Sequence, residues 1–331
     1  MKKTLISAAL ALGFAGAAQA QMSIYGLIDM SYGKSLFTET SGVDQKADFH
    51  SGGDNGSSEG NSTTRVGIKG STDLGGGIKG NFKFETGGIE SSGTVNGGGA
   101  FFNRQAWAGF SGAFGEVRLG RQDSVSFQTM IDFDFNGASN GVSAGGYTGV
   151  GVWLPGRQSR SLQYISPTVA GFTGQVGFQP KGNVPANSTA KNVFSAGVKY
   201  ATGPLAVGAS FQSKGTSNSE PFASVGGSYD FGVIKVMLGY ADGGKIADGG
   251  SGDGITVGFN VPVAGWNIGA HVSQNMDNAS ETTGAEFWVN KEIFKNTYAY
   301  AEAGYLKSDV ITYGNLKKKA TGYSAGVIWV F

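Results

Sequence analysis

Tyr323, Ser324, Ala325, Gly326, Val327, Ile328, Trp329, Val330 and Phe331 close the chain with an apolar or aromatic residue at every second position. The two-residue period puts Tyr323, Ala325, Val327, Trp329 and Phe331 on one face, with Ser324 and Gly326 on the other. One face suits an apolar surround and the other tolerates water. A strand of this kind, ending on an aromatic residue in a chain with an export signal, is expected to be the closing strand of a membrane barrel.

The export signal lies at residues 1–20. Lys2 and Lys3 precede an apolar run, and Ala18, Gln19 and Ala20 form a small-residue cleavage site. The expected division is therefore a signal peptide over 1–20 and one transmembrane β-barrel domain over 21–331. Without the leader, 23 basic residues face 24 acidic ones, a formal charge of −1. That balance predicts no nucleic-acid partner and no polybasic membrane contact. The chain has no cysteine, which excludes disulfides, thiolate metal sites and a cysteine nucleophile. After the leader, no run reaches the roughly 18 apolar residues a membrane helix needs. Glycine at 58 of 331 residues, with 7 prolines, suits a sheet that bends and closes.

From Met22 onward, short alternating runs are separated by Gly, Asn, Asp and Ser, giving about sixteen strands, an even number as bacterial barrels have. The fold class expected is all-β, a 16-stranded antiparallel transmembrane barrel. Tight turns alternate with long loops, the asymmetry of hairpins set in an outer membrane. In residues 267–273, Ile268, Ala270 and Val272 alternate with Asn267, Gly269, His271 and Ser273, which predicts lipid on one side and water on the other.

Residues 122–156 are the exception, a connection of about 35 residues where compact domains rarely leave so much loop without a purpose. They contain Asp123, Asp132 and Asp134 but no Lys or Arg; Arg118 and Arg121 precede them, and Arg157 and Arg160 follow. An acidic loop is thus framed by arginines. Hanging outside, its charges would be ordinary solvated ones; folded inward, its carboxylates would oppose a guanidinium wall. Two unit charges about 10 Å apart in water interact by only ~0.4 kcal/mol, but several of each sign in a narrow, lower-dielectric passage make a transverse field. Such clusters set ion preference in pores.

Other motifs carry less. Gly75, Gly77 and Gly80 match G-x-G-x-x-G, but they open a strand and no helix amino terminus follows to hold a phosphate. The stretch 249–253 is half of a calcium-binding glycine repeat without the stacked copies such sites need, and reads as a loop. His50 and His271 lack metal-ligand spacing; His271 with a serine would make an outer-membrane hydrolase, yet no serine is singled out. Lys317, Lys318 and Lys319 read as a solvated loop contacting anionic surface sugars, so outer-membrane lipid and lipopolysaccharide are expected partners.

Three stretches and the closing strand carry a resemblance. Thr64, Arg65, Val66, Gly67, Ile68, Lys69 and Gly70 form the first, and residues 73–79, from Asp73 to Lys79, the second. The third is residues 114–121, Phe114 through Arg121. Together they resemble the general diffusion porins of Gram-negative outer membranes, in the proteobacterial and neisserial branch. The resemblance implies sixteen strands, a homotrimer, and a third loop folded inward to constrict each pore. It places a basic ladder on Arg65, Arg104 and Arg157, with Arg160 a competitor for the third position; Arg118, Arg121 and Arg160 are expected in support, with an acidic side on Asp132, Asp134 and Asp123. The register within Arg104, Gln105, Ala106, Trp107, Ala108 and Gly109 then puts Arg104 towards the pore and Trp107 towards lipid. Residues 91–99 correspond to the loop that reaches over a neighbouring subunit. The Pro-Glu-Phe-Gly loop-tip motif of the enteric branch is missing, so Asp132 and Asp134 are carried over by charge and place.

The function expected is passive diffusion of small hydrophilic solutes and ions through a water-filled channel, with mild anion preference and neither enzyme activity nor cofactor. The alternatives are a substrate-selective channel, or a plugged barrel acting as adhesin or hydrolase.

Overall fold

The computed structural model describes residues 21–36, 46–95, 99–185, 187–217, 219–243, 252–277, 281–308 and 319–331. The leader, Lys317 and Lys318, residues 249–251 of the glycine-rich stretch and residues 96–98 lie outside them. The first strands are β1 (Gln21–Lys34), β2 (Asp48–Ser51), β3 (Arg65–Gly75), β4 (Ile78–Gly87), β5 (Gln105–Gly112) and β6 (Gly115–Asp123). After the long connection come β7 (Arg157–Ile165), β8 (Phe172–Gln179), β9 (Val193–Thr202), β10 (Leu205–Gln212), β11 (Phe222–Asp230) and β12 (Lys235–Asp242). The wall is completed by β13 (Asp253–Val263), β14 (Trp266–Asn275), β15 (Thr282–Phe294), β16 (Thr297–Ser308) and β17 (Lys319–Val330).

All seventeen segments belong to one sheet, but they make sixteen staves. Residues 21–27 of β1 pair with β3, and residues 30–33 of the same strand pair with β2, so β2 and β3 share one place in the wall. Its opposite edge pairs antiparallel with β17, from Leu27↔Val330 to Lys34↔Tyr323. Phe331 extends this seam: the amide of Gly26 donates to Phe331 O at 2.9 Å, and the amide of Phe331 to Gly26 O at 3.1 Å. The ring of pairings closes, so apart from the short β2, which pairs with β1 alone, each strand has hydrogen-bond partners on both sides, as a wall in lipid requires.

Turns of two to six residues join the strands at one end, and the longer connections at the other include that between Asp123 and Arg157. The Gly75, Gly76 and Gly77 triplet has φ of 87°, 61° and 76°, and Gly76 and Gly77 form the two-residue turn from β3 into β4. Left-handed φ, not phosphate binding, accounts for the glycines. The strand pair continues up to this turn, Asp73 pairing with Lys79 and Gly75 with Ile78 across a bulge. The expected facing holds in β14 and β17. Val272, Tyr323, Val327 and Trp329 are exposed, whereas His271, Ser273 and Ser324 are buried. The outer face is the apolar one.

Candidate functional site: two inner faces of the barrel

Arg65 opens β3 on the inward side, sharing that face with Gly67 and Lys69. Its Nη1 donates to Ser62 Oγ at 3.3 Å and to Thr63 O at 3.2 Å. Across the strand pair stands Gly87. A Cβ there would fall 2.3 Å from Arg104 Cδ, so the glycine leaves the space through which Arg104 crosses β4 to Glu85, Nε to Oε1 2.5 Å. Glu85 also accepts the Tyr25 hydroxyl at 2.7 Å. A bulge between Gly120 and Gln122 turns Arg121, whose Nε donates to Asn103 O at 2.5 Å and Nη1 to Ser159 Oγ at 2.6 Å. Arg157, first in β7, pairs with Asp123 at 3.2 Å.

These groups share one field. Arg65 stands opposite Gly87, the position that Arg104 crosses to reach Glu85, Arg121 reaches the Asn103 carbonyl beside Arg104, and Arg157 stands on Asp123. Four guanidinium groups therefore stand with two carboxylates on the face from β3 to β7. Glu85 was missed by the sequence reading. Its signal was its inward parity with Arg65 one strand away.

Arg118 and Arg160 stand apart. Arg118 lies nearer the turns, its Nη2 2.6 Å from Glu116 Oε2 and Nη1 donating to Gln128 Oε1 at 3.2 Å. Its Cζ sits 4.5 Å from the centroid of the Trp107 ring. Trp107 is buried, pairs with Gly120 and donates Nε1–H to Gln105 Oε1 at 2.9 Å. It thus points inward, correcting the expectation that it faces lipid: β5 begins after Arg104, so the period counted from Arg104 does not apply. Arg160 is exposed at φ 55°, in the outward series that continues through Leu162 and Tyr164.

The facing side of the interior is covered by the long connection. Ser124 caps α1 (Val125–Met130), its Oγ accepting the Phe127 amide at 2.9 Å and donating to Pro155 O. A 3-10 turn follows at Ile131–Phe133, and Ser143 caps α2 (Ala144–Thr148) by accepting the Gly146 amide at 3.1 Å. α1 packs on β8 to β11, and α2 on β14 to β16. A track of inward glycines makes the approach possible. Built Cβ atoms would come within 2.9 Å of Phe133 at Gly208, 2.6 Å of Val152 at Gly239 and 2.8 Å of Val142 at Gly304.

Polar anchors complete the docking. Asn136 Nδ2 donates to Glu286 Oε2 at 2.8 Å and to Glu302 Oε2 at 3.2 Å, and the Ala144 amide to Glu286 Oε1 at 3.0 Å. Glu302 also accepts from Asn61, Ser139 and Ser324. Glu59, under the same segment, is buried beside Ser35 and Asn55, and burial pushes its carboxyl above the usual range.

The loop acids take partners on this covered face. Asp132 pairs with Lys199 of β9. Asp134 accepts Trp153 Nε1–H at 3.1 Å and the Asn136 amide at 3.1 Å, and lies 3.7 Å from His271 Nδ1. Asp123 alone of the three pairs with an arginine of the set. Among the described residues Asp134, His271 and Glu286 bring ligand atoms within 4.8 Å of one another. His271 Nε2, however, accepts the Phe135 amide at 3.2 Å, which puts the ring proton on Nδ1, where it points at Glu286 Oε1, 3.3 Å away. The lone pair a metal would need is therefore engaged elsewhere.

Comparison with known proteins follows the same lines. The family model described as Gram-negative porin matches residues 7–310. An outer membrane porin protein of Bordetella pertussis is 33% identical over 79% of this chain and 74% of its own length. Outer membrane porin protein 32 of Delftia acidovorans is 30% identical over 71% and 68%. Among solved structures, an anion-selective porin from Comamonas acidovorans superposes with a TM-score of 0.76 at 22% identity, covering 94% of this chain and 100% of that one. The chain belongs to the Gram-negative porin family, as an outer-membrane barrel whose water-filled channel passes small hydrophilic solutes and ions by passive diffusion.

Proposed function

We propose that the channel prefers anions mildly, and that the preference is set where the arginine face from β3 to β7 looks across the lumen at the segment 124–156. The observation that carries this reading is an imbalance. Arg65, Arg104, Arg121 and Arg157 are accompanied by Glu85 and Asp123, while Asp132 and Asp134 are engaged by Lys199, Trp153 and His271. Carboxylates held on the covered face leave the arginines a net positive field. In a narrow, lower-dielectric passage that field favours chloride over potassium. The similar barrel from Comamonas acidovorans is itself an anion-selective porin, which accords with this reading.

The same reading takes residues 1–20 as a cleaved leader, three copies as the working assembly and lipopolysaccharide as the surround of the outer loops. No bond is made or broken. Both ring nitrogens of His271 are engaged, by Phe135 and Glu286, which argues against a hydrolase triad.

Single-channel recording in a planar bilayer under a salt gradient tests the proposal, with Arg104→Glu alongside. The expected result is current steps in multiples of three and a reversal potential displaced toward potassium in the variant. An unchanged reversal potential would remove the arginine face as the selectivity element.

A further inference from the structure

Between the arginine face and the turn end of the barrel, Lys69 of β3 and Lys83 of β4 are direct cross-strand partners. Both point inward by parity with Arg65 and Glu85. Like charges set directly opposite weaken a strand pair, and the nearest compensation is incomplete. Glu85 lies 3.7 Å from Lys83 Nζ but 2.5 Å from Arg104 Nε, so its charge serves the arginine first.

The two ammonium groups converge on one ring. Lys69 Nζ and Lys83 Nζ are 5.2 Å and 5.3 Å from the centroid of Tyr25. Tyr25 is itself fixed, its hydroxyl on Glu85 and its ring laid over Gly67, where a Cβ would come within 2.5 Å of it. The lysines are thus held near each other by a platform.

Both line a recess of about 500 Å³ that also reaches Ser71, Asn81 and Ser111. Ser71 Oγ donates to Asn81 Oδ1 at 2.8 Å, and Asn81 Nδ2 to Ser111 Oγ at 2.8 Å, an ordered polar floor that ends on the Ser111 hydroxyl. Glu116 is the carboxylate in the lining, and Arg118 holds it at 2.6 Å. The recess therefore presents two ammonium groups, neutral polar groups and a carboxylate that already has its counter-charge.

We infer that this recess is a second anion station on the turn side of the arginine face, taking a small oxyanion whose oxygens bridge Lys69 and Lys83. Two cations fixed a short distance apart match two oxygens on one anion, whereas chloride offers a single centre. The inference deepens the anion reading proposed above and rests on it only in that solutes reach the recess through the same lumen.

The test uses the full protein in a planar bilayer in potassium chloride, with inorganic phosphate added to one chamber. Phosphate is expected to reduce the chloride current saturably. Replacing both lysines, Lys69→Gln with Lys83→Gln, should raise the half-blocking concentration roughly three- to tenfold, the loss of two solvent-screened ion pairs. Lys83→Arg alone, which keeps the charge, should retain the block. A non-saturating effect of phosphate, or a block that the double variant leaves unchanged, overturns the station even when Arg104→Glu shifts selectivity. If Arg104→Glu shifts nothing and the block still depends on the lysines, the station stands and the arginine reading falls.

Discussion

The face from β3 to β7 and the face from β8 to β16 are built from the same alternating strands, yet they treat charge in opposite ways. On the first, long cations project from the wall, and each guanidinium keeps part of its surface in the lumen. On the second, glycines replace the projecting side chains, and the segment 124–156 fills the space they leave. Its buried carboxylates, Glu286 and Glu302, receive donors from that segment. The difference lies in what occupies the inward positions. It separates a face that acts on solutes from one that holds the piece opposing it.

The largest effect is expected where the covered face is held by packing. Phe133 is wholly buried with Met130, Val152 and Met237, and its ring lies against Gly208 and Gly226. Phe133→Ala should cost about 3–5 kcal/mol, the usual range for truncating a buried aromatic. The unfolding midpoint in urea should fall, and single-channel conductance should rise as the segment loosens. Amide exchange at Phe135, whose N–H is bonded to His271, should accelerate with them. If conductance and exchange both stay at the wild-type values, the apolar cluster is not what holds this face.

Glu302→Leu comes next. Oε1 accepts from Ser139 and Ser324, and Oε2 from Asn61, Asn136 and Ser139. Leucine accepts from none of them, so the Asn61 and Asn136 amides lose this acceptor; glutamine would be the milder change, because its NH2 at the Oε1 place can donate to the two serine hydroxyls. Leaving such buried groups unsatisfied costs about 1–3 kcal/mol. The faster amide exchange should be confined to the neighbourhood of Gly141, whose N–H is bonded to Gly60 O. Protection at Gly141 equal to that of the wild type would show that the carboxylate is not the anchor it is taken to be.

The two faces were unequally legible in the sequence. Alternation gave the strands and the outward side of β14 and β17, because the two-residue period is local. The arginine face was also within reach, since Arg65 and Arg104 sit in short motifs and Arg157 flanks the long connection. Trp107 misled because a period was carried through Arg104, which lies just before β5 rather than within it. The covered face depends on register. Asp132 meets Lys199, and Asp134 approaches His271, contacts between distant parts of the chain that no local pattern encodes. Glu286, Glu302 and the inward glycines are not singled out by any motif, and what they receive is set only where the connection turns back across them.

Arg65→Gln should disturb stability least and sharpen the comparison most. Arg65 is bonded to Ser62 Oγ and Thr63 O, without a carboxylate at ion-pair distance among the described residues, and is half-buried. Glutamine keeps a donor at a similar reach, so the unfolding midpoint should move by less than about 0.5 kcal/mol, the range of changes made away from a packed core. The reversal potential should nevertheless shift toward potassium, by less than in Arg104→Glu, because one positive charge is removed and none of opposite sign is added. A selectivity change without a stability change is what separates the first face from the second, where Phe133→Ala should move conductance and stability together. Were Arg65→Gln to lower the midpoint as Phe133→Ala does, the arginine face would be holding the barrel together as well as sorting ions, and the division between the two faces would fail.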